Sequence, residues 1–449
     1  MNDRLIYVAK SYELVIGDEF QMFYRGIIRS MNPYKYYIYC NCAKGRAYPR
    51  YFTYTPKEGD EGEYKLRICL YDDFMNLIEE AETTLVVNKI EKVKGEKLNI
   101  LCLGDSLTFN GVWPAIGCMR FEDSVTLEGD PKSYGMGDNF NFVGTMKKEI
   151  EYENCTKVIG YEGYGGWQWR HFVLNETVDA QAGVWVEYKN NPFTENDQHS
   201  VWMSNNKKWV LESIEKDRIK FKRGNGNWGI TADIGREFVN LEGGVHKDTF
   251  SVEKYEFEKG NPFFYKDIDG IDFKRYCKDI GIEKIDYLYI LLSWNGQYIP
   301  FNHDHSRHEE FMVKLIDKVH EDFKDCKVRL LGIQSCSIDG GMASNYGANG
   351  PYHDVFGELS TCFFYNEFLE SFCDRKKYAS FMRYIDTKAM IDVENNMPHF
   401  ELPVNARSKK TELIGSNGVH LTMDGYKQVG DVFFRNLVAD VIRHNKGEN

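Results

Sequence analysis

The chain has 449 residues, 42% hydrophobic and 28% charged, with a formal charge of −12. That length supports more than one domain, and the apolar fraction excludes disorder over the whole chain. The acidic balance, with no dominant basic patch, argues against nucleic acid as a partner.

Eleven cysteines are scattered without disulfide-scaffold spacing and read as free thiols of a reducing compartment. The opening MNDRLIYVAKSYELVIGDEF has no signal-peptide core, and no later run approaches a membrane span. The expected location is therefore the cytoplasm, with no membrane partner. The 29 Tyr, 29 Phe and 8 Trp fill cores first, but such residues also build sugar-stacking clefts.

In chain order, residues 1–97 read as a small antiparallel β-sandwich. YKYYIYC (34–40), YKLRICLY (64–71) and TTLVVNKI (83–90) are rich in aromatic and β-branched residues, with Pro56, Gly59 and Gly62 marking turns between them. A polar boundary, EKVKGEK (91–97), follows. From 98 to 445 the pattern alternates strand and helix. LNILCLG (98–104), TKVIGY (156–161), DYLYILLS (286–293), CKVRLLGI (326–333) and FMRYID (381–386) are short apolar runs suited to parallel strands covered on both faces. Phe311, Leu315 and Val319 share one helical face, and Tyr426, Val429, Phe433, Leu437 and Val441 mark another. The expectation is a parallel α/β sheet with helices on both faces. Residues 185–262, aromatic and glycine-bearing, break that rhythm as a β-rich insertion. It reads as a wall beside the site or as a segment packed on the N-terminal domain.

Ser106 ends the first core strand, in LCLGDSL (101–107). That is where ligands sit in open α/β sheets, although a serine there also serves as a helix cap. A hydroxyl needs a neighbouring base to become a nucleophile. His420, after the turn of Asn417-Gly418-Val419, is the candidate, although a lone histidine is more often structural. Gly166 in EGYGGWQW (162–169) and Asn295 in Ser293-Trp294-Asn295-Gly296 follow the second and third core strands. With the Ser106 N–H they suit an oxyanion pocket.

These segments, in this order, resemble the SGNH or GDSL hydrolase superfamily, in the manner of its bacterial carbohydrate-esterase subgroup. The resemblance covers about 98 to 440 and implies a flavodoxin-like three-layer sandwich around a central parallel sheet. It assigns the nucleophile to Ser106, the oxyanion hole to Ser106, Gly166 and Asn295, and the base to His420. The implied activity is a serine esterase without cofactor or metal, removing O-acetyl groups from a small or oligosaccharide ester. Asp105 is then a turn-fixing residue. Two positions depart from the pattern. Ser293 and Gly296 replace a glycine and an aspartate of the third block, and Asn417 replaces the aspartate that orients the histidine. An amide oxygen can accept from the ring, but it brings no full charge, and the NH₂ end favours the wrong tautomer. The same exchange in serine proteases costs about 10⁴ in kcat. An oxygen of Asn417, a backbone carbonyl or Asp424 are the candidate substitutes. The alternative function is a non-catalytic carbohydrate-binding protein that retains the scaffold.

Trp167, Trp169 and Trp294 read either as a stacking wall for a sugar or as closure of the core. The run Asn302–His308, with His303, reads as a substrate contact, a metal cluster or a polar loop. Residues 392–420 show no evident strand or helix, and either fold over the cleft with Arg407 toward a carboxylate or simply connect.

Overall fold

The computed structural model describes residues 4–121, 137–152, 155–175, 184–188, 193–204, 207–215, 218–223, 237–257, 260–292, 295, 304–335, 341 and 355–448. The chain folds as two compact units. One comprises Met1–Gly163, Glu283–Arg307 and Phe323–Asn449; the other comprises Tyr164–Ile282 and His308–Asp322.

The first unit opens with β1 (Ser11–Val15), β2 (Phe20–Phe23), α1 (Tyr24–Ile27), β3 (Tyr37–Cys42), β4 (Arg46–Ala47), β5 (Tyr51–Tyr54), β6 (Gly62–Tyr71) and β7 (Leu77–Asn88). They form two sheets, β1-β7-β6-β3 and β2-β5-β4. In β6, Leu66, Ile68 and Leu70 are buried while Lys65 and Arg67 are exposed, the period of a strand with one covered face. The all-antiparallel expectation is corrected: β1 runs parallel to β7. A parallel pair needs a long crossover, and the intervening β2–β6 segment provides one. Asp18, 1% exposed, accepts from Arg120 at 2.7 Å and from Arg435. Burial alone would raise its carboxyl, but the two guanidiniums hold it below the usual range. These pairs tie the N-terminal strands to later helices, so the sequence boundary near 97 falls inside this unit.

The chain continues with β8 (Leu98–Gly104), α2 (Ser106–Phe109), α3 (Val112–Met119), β9 (Phe140–Val143), β10 (Met146–Tyr152) and β11 (Cys155–Gly163). It then enters the second unit, with β12 (Val184–Tyr188), β13 (Val201–Ser204), β14 (Lys207–Ile214), β15 (Arg218–Arg223), β16 (Glu237–Glu242) and β17 (Phe250–Phe257). These close into a barrel in the order β12-β15-β14-β13-β16-β17. Closure leaves no open edge strand, and Phe193, Trp202, Trp209, Phe221, Phe238 and Phe250 form its buried aromatic cluster. Trp202, Trp209, Phe221 and Phe238 are at most 2% exposed, and Phe238 stacks on Phe221 and Phe250 at 4.7 and 5.2 Å. A small hairpin, β18 (Phe264–Tyr265) and β19 (Gly270–Ile271), and helix α4 (Phe273–Asp279) follow.

The remaining elements are β20 (Tyr287–Leu291), α5 (Ser306–Asp322), β21 (Lys327–Leu331), α6 (Val355–Cys373), β22 (Met382–Ile385), β23 (His399–Pro403), β24 (Thr411–Gly415) and α7 (Met423–Lys446). The five expected core strands are β11, β8, β20, β21 and β22. They lie in that order and pair in parallel. β10 adds antiparallel to β11, and β9 pairs with β8. All five residues of β20 are buried, so both of its faces are covered. In α5 the buried stripe is Met312, Leu315, Ile316 and Val319, with Phe311 on its flank. On α7, Tyr426, Val429, Phe433, Leu437 and Val441 are all buried, each worth about 1.5–3 kcal/mol. Phe433 meets Tyr289 edge-on at 4.7 Å and Trp113 at 5.2 Å. Residues 392–420, expected to be without strands, contain the antiparallel hairpin β23–β24. No helix among the described residues is long and apolar enough to cross a membrane.

Candidate active site

Ser106 is placed by steric necessity at the end of β8. Gly104 is paired to Gly163 of β11 on one side and to Leu291 of β20 on the other. A Cβ on Gly104 would strike the Leu291 carbonyl and the Thr108 hydroxyl, and one on Gly163 would lie 2.6 Å from the Thr108 carbonyl carbon. Two glycines therefore let α2 turn back across the strand ends. Asp105, 1% exposed, caps α2 by accepting the Leu107 N–H at 3.0 Å, and its other oxygen accepts from the Asn295 amide at 3.2 Å. The same carboxylate, second to burial, raises the Tyr426 phenol above its usual value. Asp105 thus fixes both the serine turn and the side chain of Asn295.

His420 comes from the loop between β24 and α7. Its Nε2 lies 2.9 Å from Ser106 Oγ. The loop is pinned by Gln334, whose amide donates to the Val419 carbonyl at 2.6 Å. Thr422 caps α7, accepting the Gly425 N–H at 3.4 Å. Asn417 Oδ1 accepts the N–H groups of Val419 and His420, at 2.9 and 2.8 Å. This Asx turn commits the oxygen, so Asn417 Nδ2 faces His420 Nδ1 at 3.3 Å. Flipping the amide would set NH₂ against two backbone donors, so the hydrogen-bond network itself fixes its orientation. Of the three substitutes for the missing aspartate, an oxygen from Asn417 is overturned by this turn. With Nδ1 accepting, the ring proton sits on Nε2 and points at Ser106. Burial holds the imidazole below its ordinary pKa.

No protein-family model matches the chain, and no curated protein matches it. Among solved structures, a carbohydrate esterase family 3 protein from Talaromyces cellulolyticus is similar at 11% identity and a TM-score of 0.34, over 77% of this chain and 98% of that one. A peptidoglycan O-acetylesterase is similar at 10% identity and a TM-score of 0.31, over 78% of this chain and 93% of that one.

The other expected residues divide. Gly166 belongs to the second unit, in a turn closed by Trp167 N–H to the Tyr164 carbonyl at 3.1 Å. Its φ of +79° is the value that a type II turn requires at that position and that glycine adopts freely. Trp167 and Trp169 are 1% and 2% exposed, and Trp167 packs on Tyr164, His171 and Phe172. Both indoles close the core of their own unit, so the stacking-wall reading is corrected for them. Trp294 and His303 lie outside the described residues. Within the Asn302–His308 run, Asp304 accepts the Ser306 N–H at 2.9 Å, and His305 is buried against Tyr365 and Phe368. Arg407 is exposed between β23 and β24, its N–H donating to Asn405. Asp424 is exposed in the first turn of α7, 3.7 Å from Lys427. The residues that sequence reasoning missed are Gly163, Thr108 and Gln334. Gln334 sits just past β21, at the strand edge where site residues gather, and that position was its available signal.

Proposed function

We propose that this chain is a slow serine esterase of the SGNH type that removes O-acetyl groups from a carbohydrate through an acyl-enzyme on Ser106. The reading rests on the 2.9 Å contact between Ser106 Oγ and His420 Nε2, formed by residues far apart in sequence. For reaction, the imidazole takes its Nδ1–H tautomer, and Nε2 then accepts the serine proton as Oγ attacks the ester carbonyl. The Ser106 N–H and the Asn295 amide meet the oxyanion. His420 returns the proton to the leaving alcohol, and water repeats the sequence to free the acid. Asn417 slows every turn of this cycle, because its NH₂ opposes the tautomer that the base needs.

The second reading is a carbohydrate-binding protein that has kept the scaffold, and the orientation of the Asn417 amide is what favours it. The two separate in one assay. Wild type and Ser106→Ala are compared for p-nitrophenyl acetate hydrolysis and for labelling by a fluorophosphonate. The esterase reading expects a rate above background and a label on Ser106, both lost in the variant. Equal rates for the two proteins would leave only the binding reading.

A further inference from the structure

A cavity of about 500 Å³ lies in the first unit. That is the size of a small-ligand cleft. Its walls are the segment before β1, the β7 residues Glu80–Glu82, one stripe of α6 and the end of β22. β22 is three strands from β8 in the sheet order, which puts it roughly 14 Å from the serine strand. The lining includes none of Ser106, Asn295, Asn417 or His420.

A helix stripe packed on protein is normally apolar. This one carries Asn366, Glu367, Glu370 and Ser371 into the lining beside Phe363, and Asp374 joins them just past its end. At the end of β22, Asp386 accepts from Tyr12 at 2.6 Å and from Lys388 at 2.9 Å, and Lys388 also donates to the Tyr7 carbonyl at 3.0 Å. Tyr7 lines the cavity too; its hydroxyl is buried and has no hydrogen-bond partner among the described residues.

The charges show what is missing. Three lining cations each meet a lining carboxylate: Lys388 with Asp386 at 2.9 Å, Lys10 with Asp374 at 2.5 Å and Arg4 with Glu367 at 3.9 Å. Glu82 is paired at 3.2 Å with Lys65 and Glu80 with Arg67, neither cation lining the cavity. Glu370 is left. Its carboxylate accepts the Lys10 N–H at 3.4 Å, and no cation lies within ion-pair distance of it among the described residues. Burial, and then the charge of Asp386, push its carboxyl up, and the Lys10 N–H and the more distant charge of Lys388 offset this only in part. An anion would be repelled here, and a neutral polyol would leave the carboxylate uncompensated. A monocation completes the set.

We propose that this cavity binds a small organic ammonium ion bearing hydrogen-bonding groups, with its amine against Glu370. The proposal does not depend on the esterase reading. The test is calorimetric titration of the full chain at neutral pH with glucamine, an amino polyol charged under those conditions, and with sorbitol, its uncharged counterpart. Glucamine is expected to bind saturably and sorbitol at least tenfold more weakly. Glu370→Gln should weaken glucamine about tenfold or more with an unchanged melting temperature, and Ser106→Ala should bind it like wild type. Equal binding of the two polyols, no saturable glucamine binding, or wild-type affinity in folded Glu370→Gln would overturn the proposal. Loss of binding in Ser106→Ala would move the amine to the serine cleft and overturn it as well.

Discussion

Asn417→Asp exchanges one atom of consequence. One carboxylate oxygen inherits the two backbone N–H bonds now made by Oδ1, and the other takes the position of Nδ2, 3.3 Å from His420 Nδ1. The ring nitrogen then faces an acceptor and must carry the proton, which frees Nε2 to accept from Ser106. Removing the opposing donor is worth about 1–3 kcal/mol. The new charge also stabilises the imidazolium formed during attack. Unit charges about 4 Å apart interact by about 4 kcal/mol at an effective dielectric of 20, and partial exposure of Asn417 reduces this to about 1–2 kcal/mol. Together, about 2–5 kcal/mol predicts a rise of roughly 30- to 5000-fold in kcat/KM for p-nitrophenyl acetate. The pH profile gives a second readout. Burial holds wild-type His420 below its ordinary value, so the neutral base persists as pH falls and is lost only below that lowered value. The carboxylate raises the value, so the acid limb of the variant moves to higher pH. An unchanged or lower rate with the melting temperature preserved would refute the tautomer argument, because it would mean that another group already holds the proton on Nδ1.

Gly163→Ala drives a Cβ against the backbone of α2. It should destabilise the protein by about 1–3 kcal/mol and, by displacing Ser106 by up to an ångström, lower esterase turnover by about 100-fold; melting curves and the acetate assay check both. Arg329→Met removes the main partner of Asp440, a carboxylate 1% exposed that Arg329 holds with two bonds of 2.7 and 2.8 Å, and leaves it, among the described residues, only Arg443 at 3.3 Å and the Tyr289 hydroxyl at 2.6 Å. Urea unfolding should show a loss of about 3–5 kcal/mol, and a change below about 1 kcal/mol would contradict the assignment. Burial would raise the Asp440 carboxyl, but Arg329 overrides it and holds it below the ordinary range. Its contribution is therefore complete above the unfolded value and lost as pH falls through the lower folded one, and Asp440→Asn should remove that part of the acid dependence.

The core strands were legible because each is a short apolar run, and a strand buried on both faces must be one. The α7 stripe was legible for the same reason at helical spacing. Hairpin β23–β24 was not: its residues are mostly exposed, so no apolar alternation marked them. Trp167 and Trp169 misled because an indole beside a glycine turn reads alike whether it lines a cleft or fills a core, and burial alone separates the two.

The amino-acid order by itself determined which chemical groups stand at the strand ends: a hydroxyl after Gly104-Asp105, an imidazole before the last helix, and an amide three residues before that imidazole. Tertiary structure decided which atom of that amide meets the imidazole. Two backbone N–H groups of the turn claim the oxygen and leave the nitrogen facing the ring. The reason is local competition for a single acceptor, which depends on distances of a few ångströms that no spacing of residues records.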